Sequence, residues 1–168
     1  MAAGEHLRIT QSDVARRGHS IECRINAENP AVHFMPSPGR VTGYREPSGP
    51  GVRVDSSLVR AATVSQHYDP MIAKLIVWGP DRDAAIGRMQ RALLEFVITG
   101  ITTNMTYHLA VLDDVDFRAG RYSTHFIEDH PELIAAAAVW EERKQPFNQL
   151  ARDRAHIAAV AAAIAVTT

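Results

Sequence analysis

Three polar side chains of unlike chemistry stand two residues apart in one short run: an acid at Glu22, a guanidinium at Arg24 and an amide at Asn26. Ile21, Cys23 and Ile25 alternate with them. A period of two is the pattern of a half-buried strand, apolar on one face and polar on the other. On such a strand the three polar groups form a row, about 7 Å from one to the next. An arginine held between acceptors on a rigid strand suits a planar anion or a carbonyl, because its fork of donors binds bidentately. The same row also fits a solvated face with an Arg–Glu cross-strand pair. The pattern alone leaves both readings open.

The rest of the chain must hold this strand. Ahead of it, Leu7 and Ile9 fit a short strand or docking segment, and Ser12 and Asp13 fit a turn or cap. After it, Pro36-Ser-Pro-Gly39 demands a turn. Strands are expected over residues 40–46 and 51–57, joined through Pro47-Ser-Gly-Pro-Gly51. Val52 and Val54 then face inward, while Arg53 and Asp55 face out. Residues 70–78 are apolar except at Lys74, which predicts a central strand covered on both faces. Lys74 is then at an edge or paired, and Asp69 is placed to cap or bridge.

Asp81 opens a helix with Ile86, Met89, Leu93 and Phe96 on one face, and Gly100 is expected to end it. Asn104 or Thr103 caps a second helix with Leu109 and Leu112 inward. Asp113-Asp-Val-Asp116 ends that helix as a solvated turn. Thr124 caps a third, short helix anchored by Phe126 and Ile127. From Ala135 alanine dominates, broken by the polar residues 141–148 with Pro146 among them. Residues 151–166 favour helix, with a stripe of Ile157, Val160 and Ile164. That helix either leads into a further domain or packs on this one's core. The fold class is therefore α+β: a mostly antiparallel sheet packed with helices, plus a C-terminal alanine-rich helix. The expected division is a domain over 1–133 and a linker or helical appendage over 134–168.

The chain of 168 residues is long enough for one domain with an appendage. Its net charge of −1 gives no basis for steering toward nucleic acid or a membrane surface. No apolar run is long enough to span a bilayer, and the start lacks a signal-peptide pattern. One cysteine makes no internal disulfide, which fits a cytoplasmic location. Cys23, on the apolar side of its strand, reads as core rather than as a reactive thiol. The eight histidines show no HxH or HExxH spacing, so no metal site is expected.

Several words, in order, resemble the C-terminal part of biotin carboxylase. They are Arg17-Gly-His-Ser-Ile-Glu-Cys-Arg-Ile-Asn-Ala-Glu-Asn-Pro30, Phe34-Met-Pro-Ser-Pro-Gly-Arg40, Gly51-Val-Arg-Val-Asp55, His67-Tyr-Asp-Pro-Met-Ile-Ala-Lys-Leu-Ile76, Gly100-Ile-Thr-Thr-Asn104 and Thr124-His-Phe-Ile127. The resemblance runs over about residues 2–133 and is carried by the order of the words. It implies the ATP-dependent component of the acetyl-, propionyl-, methylcrotonyl- and pyruvate-carboxylase group. There ATP activates bicarbonate as carboxyphosphate, which yields CO2 for a ureido nitrogen of biotin.

By this resemblance Arg24 matches the arginine of the biotin and bicarbonate site, with Glu22 and Asn26 placed by the strand to orient it. Arg53 matches a homodimer-interface arginine, although Pro50 stands where some members have phenylalanine. Asp69 matches an acid that pairs with an N-terminal region. The resemblance also implies a large ATP-binding (ATP-grasp) domain before Ala2, so the chain reads as a fragment with Met1 added. ATP, magnesium, biotin and bicarbonate would serve the full enzyme. No phosphate-cradling GxxxxGK and no Met-Lys-Met biotin-attachment word is present, so the chain alone is expected to bind no cofactor and to be inactive. The implied partners are the ATP-grasp domain, a biotin carboxyl carrier domain, a carboxyltransferase and a second copy. The other readings are a purely structural dimerisation module and a related ATP-grasp ligase domain. The Cys-Arg-Ile-Asn-Ala-Glu word argues against the latter.

Overall fold

The computed structural model describes residues 3–4 and 6–166, with side chains described through Leu150 and at Asp153. The expectation about Met1 and the stripe of Ile157, Val160 and Ile164 lie outside the described residues and side chains. In chain order the strands are β1 (His19–Asn26), β2 (Glu28–Asn29), β3 (Met35–Pro36), β4 (Gly39–Arg40), β5 (Gly43–Arg45), β6 (Val52–Ser56), β7 (Thr63–Val64), β8 (Met71–Gly79) and β9 (Val97–Thr99). The helices are α1 (Arg82–Glu95), α2 (Met105–Asp113), α3 (Val115–Arg118), α4 (Phe126–Asp129) and α5 (Leu133–Val166). The class is α+β, with every strand pairing antiparallel.

The main sheet has the order β1–β8–β6. Alternation in β1 buries Cys23 and Ile25 on its inner face. Ala73, Leu75 and Val77 of β8 join them. Helix α1 covers this face with Ile86, Met89 and Leu93, and Phe96 just past its end joins them, all fully buried. Asp81 caps it as expected: its Oδ1 accepts from the Ala84 N–H at 2.8 Å. A second cluster joins Tyr107 and Ala110 of α2 to Phe126, Leu133 and Ala137.

Several local expectations give way to tertiary pairing. β8 is central, but its outer face is open: Lys74 and Ile76 are half-buried and Trp78 is 47% exposed. Helix α1 packs on the inner side, and the antiparallel sheet keeps the two-faced pattern of one solvated side. Residues 40–46 do not make one strand. β4 pairs with β7 and β5 with β9, because the chain between them crosses from one partner to the other. The Val41 N–H donates to the Ala62 carbonyl and the Thr42 N–H to the Thr99 carbonyl. Helix α1 stops at Glu95, and the residues expected to finish it become β9. Gly100 instead follows β9 at φ +97°, where any side chain would strike the Arg40 carbonyl.

Leu7 and Ile9 are exposed and outside any strand, whereas Gln11–Asp13 forms the expected turn. The run at Asp113–Asp116 is no solvated turn. Asp114 caps α3, its Oδ1 accepting from the Asp116 and Phe117 N–H groups at 2.8 and 2.9 Å. Helix α4 begins after His125, not at Thr124.

The alanine-rich segment also departs from its polar break. α5 is continuous through Pro146, although the ring deletes the hydrogen bond to the Glu142 carbonyl. Packing of the turns ahead of it holds the helix in place. Leu133 and Ala137 are buried against α2 and α4, and Lys144 is 2% exposed. The Lys144 ammonium donates to the carbonyls of Leu93, Leu94 and Phe96 at the end of α1. Such carbonyls lack partners inside their own helix and carry partial negative charge, so a cation suits them.

Candidate functional site

Arg24 extends from the outer face of β1, its side chain 68% exposed. The strand pairing sets it opposite Lys74, and Lys74 opposite Asp55 on β6. Glu22 lies along the strand with Oε1 3.5 Å from Arg24 Nε. An exposed pair of that length contributes about 0–1 kcal/mol. Glu22 therefore meets Arg24 as expected. Asn26 does not, because the register with β8 shifts between Ile25 and Asn26. A bulge turns a side chain away from the row it would otherwise join. The Asn26 amide instead donates to Glu28 Oε2 at 3.2 Å.

An open cleft of about 540 Å³ begins at Arg24 and runs over α2 toward α4. Asn26, Phe34, His108, Tyr122 and Ile127 are among its walls. Most of the wall is apolar and aromatic, with a few polar groups at one end, which is the usual build of a ligand site. Phe34 sets its ring edge-on to Tyr107, centroids 5.0 Å apart. His33 and Phe34 both hold left-handed backbone, at φ 49° and 56°. Two such residues in succession are strained, and packing must hold them there. Asn26 Oδ1 is buried in this wall with no hydrogen-bond partner among the described residues. A buried acceptor left so is ready for a donor.

The backbone beneath Arg24 is fixed from α2. Asn104 Nδ2 donates to the Arg24 carbonyl at 3.1 Å, and His108 Nε2 lies 2.9 Å from the same oxygen. Burial pushes the His108 imidazole below its usual range, while the hydrogen bond to that carbonyl opposes the shift. Asn104 occupies the expected cap position of α2, but its side chain makes no cap hydrogen bond and turns to β1 instead. Its signal was present in the Gly100-Ile-Thr-Thr-Asn104 word, whereas nothing local marks His108 or Tyr107 as wall residues.

The other expected residues stand apart from the cleft. Arg53 is on β6, the far edge of the sheet from Arg24. It forms a two-point pair with Asp55, Nε to Oδ1 at 2.9 Å and Nη2 to Oδ2 at 2.8 Å. The Arg53 hydrogen bond holds the Asp55 carboxyl below its usual range. Asp69 closes the turn into β8, its Oδ1 accepting from the Met71 N–H at 2.7 Å. A separate cluster gathers Asp114, His130 and Glu132, with ligating atoms within 4.8 Å of one another. His130 Nδ1 is 3.0 Å from Glu132 Oε1 and 3.7 Å from Asp114 Oδ2, joining the ends of three helices. Among the described residues no helix is long and apolar enough to cross a membrane.

The chain is similar to known proteins in sequence and in fold. The family described as the biotin carboxylase C-terminal domain matches residues 22–129. The biotin carboxylase of Nostoc sp. is 50% identical over 129 residues, covering 77% of this chain and 29% of that protein. Biotin carboxylase 1 of Bacillus subtilis is 49% identical over 130 residues, covering 77% of this chain and 29% of its own length. The chain thus spans under a third of these relatives. Among solved structures, the biotin carboxylase domain dimer of Hydrogenobacter thermophilus 2-oxoglutarate carboxylase, in complex with MgADP, ADP and bicarbonate, superposes with a TM-score of 0.76 at 42% identity. That match covers 79% of this chain and 29% of the other. The biotin carboxylase component of a pyruvate carboxylase gives the same TM-score of 0.76, at 44% identity over 79% of this chain and 30% of that one. With a family match over residues 22–129, more than half of the chain, and relatives of about 50% identity covering more than three quarters of the sequence, the chain belongs to the biotin carboxylase C-terminal domain family.

Proposed function

We propose that this domain forms one side of the biotin and bicarbonate site of an ATP-dependent biotin carboxylase, with Arg24 as the catalytic cation. The observation that carries the reading is the exposed Arg24 guanidinium at the mouth of the cleft. Bicarbonate and the ureido oxygen of biotin both present oxygens that are negative or become so during carboxylation. A fixed guanidinium stabilises that charge best where its donors are already aimed. The fork matters as well as the charge, so lysine is a poor replacement. The orphan acceptor of Asn26, in the same wall, suits the N–H of a ureido group. Nucleotide and magnesium would be held by an ATP-grasp portion outside the length matched here.

In the whole enzyme, carboxybiotin then passes on a carrier domain to a carboxyltransferase. The acceptor is an acyl-CoA or a 2-oxo acid, chosen by that separate component. Homodimerisation through the open outer face of the main sheet, with Arg53 among the contacts, completes the reading. The openness of that face and the exposure of Arg53 support it. Cytoplasmic location is consistent with a lone, buried, unpaired cysteine.

The test is complementation. The chain is co-expressed with the ATP-binding portion of a biotin carboxylase, and bicarbonate-dependent ATP cleavage is followed with free biotin. Arg24→Ala is expected to lower biotin-dependent turnover by about 100-fold or more while nucleotide binding persists, the scale seen when one aimed donor is lost. Turnover that needs this chain but survives Arg24→Ala would make the domain a scaffold and remove Arg24 from the chemistry.

A further inference from the structure

The Asn104 amide does more than begin a helix. β1 is an edge strand, and an edge leaves backbone donors and acceptors without a neighbour. From Arg24 to Asn26 that neighbour is Asn104. Its Nδ2 donates to the Arg24 carbonyl at 3.1 Å, its Oδ1 accepts from the Asn26 N–H at 2.9 Å, and its own N–H donates to the Asn26 carbonyl at 3.2 Å. One residue thus stands in for a missing strand. His108, one turn further along α2, adds a second contact to the Arg24 carbonyl at 2.9 Å. A carbonyl only accepts, so the ring donates from Nε2.

The place of this clamp matters. It grips the strand beside the bulge between Ile25 and Asn26, where the ladder to β8 changes register. A bulge bends and twists the strand, and bulges beside sites re-aim side chains. Among the described residues, the Arg24 side chain has a single polar contact to steady it, the 3.5 Å approach to Glu22. The direction in which Arg24 leaves the strand is therefore set by its backbone, and that backbone is set by α2. Asn104 is 6% exposed and uses both ends of its amide in this role. Neither an apolar residue nor an acid can do both.

We propose that Asn104 and His108 are positioning residues for Arg24, holding the strand edge from which its guanidinium reaches the biotin and bicarbonate oxygens; this rests on the reading of Arg24 given above. Both residues line the cleft, and their hydrogen bonds run to the β1 backbone. Each acts through the Arg24 carbonyl, and a misplacement of about 1 Å there is enough to cost about 100-fold in rate.

The experiment uses the assembled carboxylase, with free biotin and ATP as varied substrates. Asn104→Asp keeps the acceptor for Asn26 but removes the donor to Arg24. His108→Leu removes the ring donor, and His108→Gln returns one. Asn104→Asp is expected to lower kcat/KM for biotin about tenfold or more, with the KM for ATP changed less than about twofold. His108→Leu is expected to lose about threefold, recovered by His108→Gln. In an Arg24→Lys background, which keeps a charge and leaves turnover to measure, Asn104→Asp is expected to add less than about twofold, because the two act as one unit.

Equal losses in both backgrounds, or a KM for ATP that moves with that for biotin, would overturn the proposal and make Asn104 purely structural. Should Asn104→Asp fail to assemble, the His108 pair decides by the same split. Near-normal carboxylation by Arg24→Ala is a different failure. It removes the role of Arg24 itself, and the proposal with it.

Discussion

Cys23 lies one residue from Arg24, on the opposite face of the same strand, and its chemistry is the reverse. It is 5% exposed, and burial pushes its thiol up to about 12, with the charge of Glu22 adding to the effect. Only the thiolate attacks an electrophile, so the folded thiol is close to inert at pH 8. A maleimide is expected to label it at least about 100-fold more slowly than a free thiol, and at the free rate once denaturant unfolds the chain. Equal rates in both states would contradict the burial. The same shift makes a pH statement. The folded thiol keeps its proton above the ordinary value of 9.0, where the unfolded thiol has lost it. Stability from this group is thus present below pH 9 and declines as pH rises toward 12. Alternation alone placed Cys23 inside and Arg24 outside. It could not place Asn26, because a one-residue register shift is decided by the partner strand. Nor could it turn Asn104 away from its helix, because the open edge of β1 that draws the side chain is far off in sequence.

Helices show how much of an element is written locally. α1 is written almost entirely in its own residues: a capping acid, an apolar face at three- and four-residue steps, and charge at the first turn. Asp81→Ala is expected to lower stability by about 1 kcal/mol, read from urea or thermal unfolding. Its far end is not local. Three carbonyls there meet Lys144, about fifty residues on. Burial pushes the Lys144 ammonium down to about 8; Glu141 opposes the shift and Arg45 adds to it. The folded state therefore holds fewer protons than the unfolded state between pH 8 and 10.5. Stability rises with pH across that window, because the unfolded chain binds the extra proton. Lys144→Met has no such proton to lose. The stability of the native chain relative to Lys144→Met is expected to increase from pH 7 to pH 10, by up to about 3 kcal/mol. Measuring both proteins at each pH cancels the opposing loss from Cys23. A constant difference would mean that the amine keeps its ordinary proton affinity at the end of α1.

At the scale of the molecule, the composition change near Ala135 and the end of the family match at residue 129 both mark a boundary that the packing does not respect. α5 begins at Leu133, and its first turns complete the second apolar cluster with Leu133 and Ala137 over Tyr107 and Phe126. Trp140 packs against both clusters, and Lys144 reaches the end of α1. None of these contacts is legible from the segment itself, because alanine-rich helix looks alike whether it docks or projects. The first half of α5 is here proposed as part of the domain, and two truncations separate this from an appendage. A chain ending at residue 150 retains every one of these contacts. A chain ending at residue 132 bares the Tyr107–Phe126 cluster and leaves the α1 carbonyls without Lys144. Losing one buried leucine side chain alone removes about 2–5 kcal/mol, which for a domain of this size moves Tm by about 5–20 °C. The shorter chain is expected to melt at least about 10 °C below the longer one, or to lose its cooperative transition by calorimetry. Equal melting of the two chains would show that the sheet, α1 and α2 hold together unaided, and that α5 is an appendage along its whole length.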